Sequence, residues 1–248
     1  MAPTTAAVVG AAGGVGATRL TVEVGATLAR DGRDVALLDT ALATQGLARF
    51  VSGQIEPDST ALVLARADGE TAPLADATRP VAATEGRLVA CPAYAPFERL
   101  ARAEAPAAAR AFESVLADAA GEFDHVLVDT PPVATNQAVA AVTATDRRAL
   151  VTLPGGRGGD ALQRARGRLA DLSAPPDVVV HNRATEDHPD ADIALPESDT
   201  VETDAPTCLD GDGFAPAVAA LAETLFDTDL DIAFAEGLVS RARRRFGE

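Results

Sequence analysis

Short runs of consecutive apolar residues alternate along the chain with longer stretches whose apolar positions recur every three or four residues. The runs at 6–9, 35–39, 87–91, 125–129, 149–153 and 177–181 are bounded by charged or turn residues and predict buried strands. Helical periodicity follows residue 18, with Leu20, Val24 and Leu28 at four-residue spacing, and returns at 97–119, 136–144, 159–172 and 214–226. Pro106 should break or kink the pattern at 97–119, because proline lacks an N–H and crowds the preceding turn. This alternation predicts an α/β fold, a doubly wound and mostly parallel sheet with helices on both faces. Ligands in such sheets bind beyond the carboxyl ends of the strands.

One connection lies at that end and carries distinctive chemistry. Residues 10–18 read Gly-Ala-Ala-Gly-Gly-Val-Gly-Ala-Thr, between the first strand and the first helix. A strand, glycine turn and helix aim free backbone N–H groups and a helix dipole at an anion. Both lysines usual in a phosphate loop are missing. The spacing of Gly10, Gly13 and Gly16 also fits a dinucleotide-binding turn like that of malate dehydrogenases, with Asp39 placed as a ribose-binding carboxylate. An NAD-dependent oxidoreductase would need an acid–base, and the three histidines are poor candidates. His125 and His181 lie in or at the end of apolar strands, where a satisfied core or edge role is expected, and His188 sits in an acidic loop.

Composition narrows the setting. With 248 residues and 47% hydrophobic content, the chain can bury the core of one α/β domain. A single domain is expected over 1–228, followed by a tail or helix at 229–248. No apolar run reaches the length of a membrane span, and two cysteines, Cys91 and Cys208, are too few for a disulfide framework or zinc cluster. A cytoplasmic location is expected. The net charge is −16, and all 21 basic residues are arginine. Such a surface suits high salt, where self-repulsion is screened, and should repel nucleic acid and anionic lipid. Residues 186–212 hold ten acids, no base and three prolines, which predicts an exposed, partly irregular connection.

Several ordered motifs resemble the MinD/ParA family of deviant Walker A ATPases. Ala-Gly-Gly-Val-Gly-Ala-Thr at 12–18 resembles the family loop Lys-Gly-Gly-x-Gly-Lys-Thr, and Ala-Arg-Asp-Gly-Arg-Asp-Val-Ala-Leu-Leu-Asp at 29–39 resembles its second strand and approach. Phe-Asp-His-Val-Leu-Val-Asp-Thr-Pro-Pro at 123–132 resembles its Walker B strand. Asn182-Arg183, Leu195-Pro196-Glu197 and the helix entry Phe214-Ala215-Pro216-Ala217 complete its order, so the resemblance covers about residues 4–226. It implies a P-loop fold binding ATP or ADP with Mg²⁺. Gly13, Gly14, Val15, Gly16, Ala17 and Thr18 would cradle phosphate, with Thr18, Asp39 and Asp129 at the metal and Asn182 and Arg183 at the base. Ala12 and Ala17 stand where the family has lysines, and Ala41 stands where it has a water-positioning aspartate. Turnover should therefore be weak or absent, and no catalytic residue is assigned. Arg19, next to Thr18, is a candidate replacement for the lost charge. The loop also resembles the atypical TadZ/CpaE branch, and the overall composition fits a haloarchaeal source.

Such a chain would act as a positioning or regulatory factor with a protein partner. Without the lysine at position 12, the family's sandwich dimer is in doubt, although another homodimer is open. A nucleotide-independent interaction scaffold is the other reading. Residues 147–168 carry six arginines (147, 148, 157, 164, 166 and 168) against Asp160, which offers a partner, dimer or nucleic-acid patch or simply a solvated helix face. In the tail, Ile232, Phe234, Leu238, Val239 and Phe246 with four arginines resemble a MinD-type membrane-targeting helix.

Overall fold

A computed structural model describes residues 4–184, 186, 188–198, 205–209 and 214–234. These form an eight-stranded sheet in the order β3-β4-β2-β5-β1-β6-β7-β8. The strands are β1 Thr5–Gly10, β2 Val35–Asp39, β3 Arg79–Pro80, β4 Leu88–Cys91, β5 His125–Thr130, β6 Arg147–Thr152, β7 Val178–Asn182 and β8 Ile193–Leu195. Every pairing is parallel except β3 with β4. The helices are α1 Ala17–Arg30, α2 Ser59–Ala67, α3 Leu74–Ala77, α4 Phe97–Ala103, α5 Pro106–Glu122, α6 Asn136–Ala144, α7 Gly156–Asp171 and α8 Ala215–Phe226.

The continuous apolar runs are explained by burial on both faces. Alternate residues of one strand feed two cores: Leu37 and Leu127 face α1 and α8, while Leu38 and Val128 face α2, α5 and α6. A third cluster places Val9, Leu150 and Val179 against Leu162 and Leu169 of α7. The predicted doubly wound fold is therefore present. Pro106 does split the 97–119 pattern, and it does so by opening α5, where its missing N–H has no partner to lose.

The strand order decides one alternative. A dinucleotide-binding sheet has its first two strands side by side, but here β5 lies between β1 and β2. The carboxylate of Asp39 is thus a full strand removed from the glycine turn, and the NAD reading fails.

Two expectations need correction. The connection at 186–212 is not simply an exposed loop: it contains β8, paired with β7, and Thr207 and Cys208 are buried. The strand histidines are buried but not satisfied, since neither ring nitrogen of His125 or His181 has a hydrogen-bond partner. They serve as flat packing groups, His125 tilted on Phe226 at 4.4 Å and His181 on His188 at 4.7 Å. Of the tail or helix expected at 229–248, residues 229–234 are not helical. Arg30 donates to the Ala233 carbonyl at 2.8 Å and lies over the Phe234 ring, so this part of the tail rests on α1. The rest of the expected membrane helix, 235–248 with Leu238, Val239 and Phe246, lies outside the described residues.

Of the 147–168 arginines, Arg147 and Arg148 both pair with Asp177, at 3.1 and 2.9 Å. Arg166 and Arg168 donate to the carbonyls of Asp190 and Val133. Arg157 and Arg164 are exposed on α7. Most of the local positive charge is therefore used within the fold.

Candidate functional site

The glycine loop turns from β1 into α1 at the carboxyl edge of the sheet. Gly16 caps α1 with φ 90°, in the left-handed region that favours glycine, and no side chain caps the helix. The first-turn N–H groups are consequently left to whatever lies in front of them. Beyond the loop is a cavity of about 460 Å³, within the range of small-molecule sites. Its walls include Gly13–Thr18, Ala12, Ala41, Thr44, Arg49, Asp129, Asn182, Arg183, Glu197 and Phe214. Thus every predicted site residue except Asp39 reaches one cavity, and both alanines at the missing lysine positions face it.

The two strand-end carboxylates are in register, Asp39 of β2 directly beside Asp129 of β5. Asp39 accepts the N–H groups of Ala41 at 2.8 Å and Ala93 at 3.1 Å. Its oxygens hold two backbone segments together, behind the cavity wall. Burial raises its carboxyl to about 6, against the lowering effect of those amides. Burial, then the neighbouring Asp39 charge, pushes the Asp129 carboxyl well above the usual range, while the Thr18 hydroxyl beside it pulls the other way. Asp129 Oδ2 is buried with no hydrogen-bond partner.

An orphaned, desolvated carboxylate oxygen beside a hydroxyl fits a hard cation such as Mg²⁺. Thr18 and Asp129 would hold it, and Asp39 would act from behind as a charged support rather than a ligand. Among the described residues no group of three or more His, Cys, Asp or Glu side chains could hold a metal. Mg²⁺ commonly uses one or two protein groups and takes its remaining ligands from water and phosphate.

Two predicted residues act differently from expectation. Asn182 sits against the loop: its Nδ2 donates to the Val15 carbonyl at 2.9 Å and its Oδ1 accepts from the Arg183 N–H. A Cβ on Gly16 would lie 2.4 Å from that Nδ2. Asn182 therefore fastens β7 to the loop, and Arg183, exposed with φ 57°, lines the cavity beside it. Arg19 is turned toward the protein. Its Nε approaches Glu23 at 3.3 Å, and its Nη2 donates to Ser198 at 2.9 Å and Thr207 at 3.4 Å. Val15 contributes backbone only, since its side chain is buried in the core.

Two positions beside the candidate site escaped the sequence, one of them structural. Glu23 is fully buried on α1 and receives the N–H groups of Thr207 and Cys208 at 3.1 and 3.0 Å. Its spacing of four from Arg19 was the available signal. Arg49 lies on a 3-10 turn, Gly46–Phe50, that closes one flank of the cavity.

No family model matches the chain, and no curated protein matches it in sequence. Solved structures do. The chain is similar to the MinC:MinD cell division protein complex of Aquifex aeolicus at 22% identity, covering 94% of this chain and 100% of that one with TM-score 0.71. For the cell division ATPase MinD of Pyrococcus furiosus the figures are 19%, 90%, 98% and 0.68. For the septum site-determining protein MinD complexed with Mg-ADP from Pyrococcus horikoshii OT3 they are 20%, 79%, 82% and 0.63. Eight strands, a glycine loop and these neighbours agree: the chain carries the MinD/ParA P-loop ATPase fold.

Proposed function

We propose that this protein is a nucleotide-responsive positioning or regulatory factor that binds ATP or ADP with Mg²⁺ and hydrolyses ATP little or not at all. The carrying observation is the pairing of an intact cradle with removed charge. Loop amides, the Thr18 hydroxyl and the unpartnered Asp129 oxygen border one cavity, while Ala12, Ala17 and Ala41 line the same walls. Backbone donors bind phosphate in the ground state. Phosphoryl transfer additionally needs charge neutralisation and a held water, and each absent group removes part of that stabilisation. Mg²⁺ would supply charge neutralisation between phosphate oxygens. Thr18 through its hydroxyl and Asp129 through its carboxylate would be the residues that hold the cation.

A structural neighbour is named for its Mg-ADP complex and another for its complex with MinC. Both support a ligand of that class and a protein partner here. A homodimer of the family's sandwich type would lack the charge that a lysine at position 12 sends across, so a different dimer is open. No helix among the described residues is long and apolar enough to cross a membrane. We place the protein in a halophilic cytoplasm, on the strength of its acidic, lysine-free composition.

Thermal unfolding in molar KCl tests the reading, with Mg²⁺–ATP, Mg²⁺–ADP and NAD in parallel. A ligand bound only by the folded state raises stability by mass action, about 2.7 kcal/mol at one hundred times Kd. The expected result is a rise with either adenine nucleotide that depends on Mg²⁺, and none with NAD. No rise with any of them favours an interaction scaffold and sinks the proposal.

A further inference from the structure

The connection between β7 and β8 joins two strands whose ends, Asn182–Arg183 and Glu197–Ser198, line the cavity. It is held down at a pair of histidines that do not line it. His181, on β7, is 2% exposed, and neither of its ring nitrogens has a hydrogen-bond partner. His188, in the connection, lies on it with ring centroids 4.7 Å apart and planes tilted by 36°. We propose that this pair is an acid-released clasp: stacked and neutral it holds residues 188–192 against the sheet, and protonated it lets them go.

The pairing follows from the strand. His181 comes after three valines in a strand buried on both faces, and side chains alternate along it. Val178 and Val180 enter the core beneath α1 and α8, so Val179 and His181 point to the opposite face, toward α7. There the chain returns over the strand. The Ala191 N–H donates to the His188 carbonyl at 3.0 Å, and the Asp192 N–H to the Val179 carbonyl at 2.9 Å. Asp192 Oδ2 accepts the Val179 N–H at 2.7 Å, and Arg166 of α7 donates to the Asp190 carbonyl at 3.1 Å. These bonds bring the connection back to β7, and the His188 ring closes it over His181.

The bonding also fixes which protonation state fits. His188 Nδ1 accepts the Asp190 N–H at 3.2 Å, so its proton is on Nε2. A second proton, on Nδ1, would set two donors against each other and open the turn. On His181 a proton would place a charge in a buried site with no acceptor. Among the described residues, the charged groups acting there are His188 and Arg166, which oppose the proton, and Asp190, which favours it. Asp190 is half exposed and stands 3.9 Å from His188 Nδ1, so solvent screens it. Beside His181 on the neighbouring strands are Thr152 of β6 and Ala194 of β8, which carry no charge. On its own strand the next charge, Arg183, is exposed at the cavity. Burial is the largest effect and lowers the His181 pKa from its ordinary 6.5. The clasp is therefore complete above about pH 6.5 and weakens as pH falls below it. A histidine that stays neutral when clasped and titrates near 6.5 when released weakens the clasp about tenfold at pH 5.5.

Amide hydrogen exchange in molar KCl tests this on the full chain at pH 7.5, 6.5 and 5.5, each rate divided by its intrinsic value at that pH. Protection of the Asp190, Ala191 and Asp192 amides should fall about tenfold between pH 7.5 and 5.5, while the β1 and β5 amides change by less than about twofold. His181→Phe keeps a ring beneath His188 without the buried titration, and the fall should shrink to about threefold or less. His188→Ala removes the upper ring from a half-exposed position, so protection at 190–192 should already be at least about threefold lower at pH 7.5. Unchanged β1 and β5 protection at pH 7.5 shows that each variant is folded. The wild-type imidazole signals give a readout independent of any variant, and the His181 ring should titrate below 6.5. Several results overturn the clasp: no acid loss at 190–192 in wild type, an equal loss in β1 and β5, or the full loss retained in His181→Phe. Unaltered protection in His188→Ala at pH 7.5, or a His181 ring titrating at or above 6.5, does the same.

Discussion

Two sides of the fold treat buried carboxylates in opposite ways, and only the one at Asp129 lines the cavity. On one, Glu23 is enclosed by donors: Thr207 gives its N–H and hydroxyl, Cys208 its N–H, and Arg19 its guanidinium. On the other, Asp129 keeps an oxygen with no partner, and its neighbour across the strand is a second carboxylate. Burying a polar group costs free energy unless it is paired, and among the unpartnered buried atoms Asp129 Oδ2 is the carboxylate oxygen of a residue that lines the cavity. The satisfied side holds the fold together, and the unsatisfied one is the candidate site. Read from the sequence, Asp129 stands out as a strand-end carboxylate and Glu23 does not.

The largest effect expected from breaking this contrast is at Glu23. Glu23→Ala strands the amides of Thr207 and Cys208 and leaves Arg19 without its carboxylate. Stability should fall by about 3 kcal/mol, read as a lowered midpoint in urea unfolding, with nucleotide affinity per folded molecule nearly unchanged. A loss of affinity as large as the loss of stability would mean the two sides are not separate.

Gly16→Ala comes next. The new Cβ meets Asn182 and the backbone is already left-handed, so about 1–3 kcal/mol of strain should appear. Unlike Glu23→Ala, it should also lower Mg²⁺–ATP affinity at least about tenfold, since the loop itself is displaced. Titration and unfolding on the same sample distinguish the two outcomes.

Asp129→Asn should act with the opposite sign. In the folded chain burial raises the Asp39 carboxyl from 3.8 to about 6, and Asp129 is raised as well. The folded state thus retains protons that the unfolded chain releases above about 4. The stabilising contribution of the pair is complete below that pH and is lost as pH climbs through about 6 and beyond. Asp129→Asn removes one charge of the pair. The ligand-free variant should melt higher than wild type at pH 7.5, by about 2–4 °C for each kcal/mol recovered, and the gap should close toward pH 5. Its stabilisation by Mg²⁺ should vanish. A variant that melts lower at pH 7.5 would show that Asp129 is paired in solution after all.

The smallest effect expected is at His125. Burial lowers its pKa, with the nearby Arg33 charge adding to this. The folded state therefore disfavours the proton, and stability present above the unfolded value of 6.5 declines as pH falls below it. His125→Phe keeps the ring against Phe226 and should flatten this acid limb by about 1 kcal/mol or less. Melting curves between pH 7 and 5 report it.

How far the sequence could be read depends on the distance between interacting residues. The strands β1, β2, β4, β5, β6 and β7 and the helices α1, α6 and α8 were legible because their periodicity and flanking charges are local. The helix α2 was missed because its buried side chains, Ser59, Thr60, Leu62 and Val63, are half polar and form no long stripe. Three-residue β8 is too short for any period to show. Thr18 and Asp129 were legible as a pair because both lie at the carboxyl edge that a parallel sheet makes common to all its strands. Asn182 was placed at the right cavity in the wrong role, since only the adjacency of β7 and the loop reveals that it fills the space above Gly16. Glu23 lies in sequence between two core valines and looks like an ordinary helix glutamate. Its partners are 184 and 185 residues away. Arg49 was hidden by its period of three, which resembles neither a strand nor an α-helix.

The central claim is that the site holds nucleotide without consuming it, and the direct measurement is to recover the ligand. Protein incubated for several hours with a slight excess of Mg²⁺–ATP in molar KCl is separated from free nucleotide, and the bound fraction is identified by chromatography. Near-stoichiometric nucleotide recovered mainly as ATP is the predicted result. Bound nucleotide recovered as ADP, with phosphate released continuously in solution, would contradict the loss of turnover. No bound nucleotide would contradict the site itself.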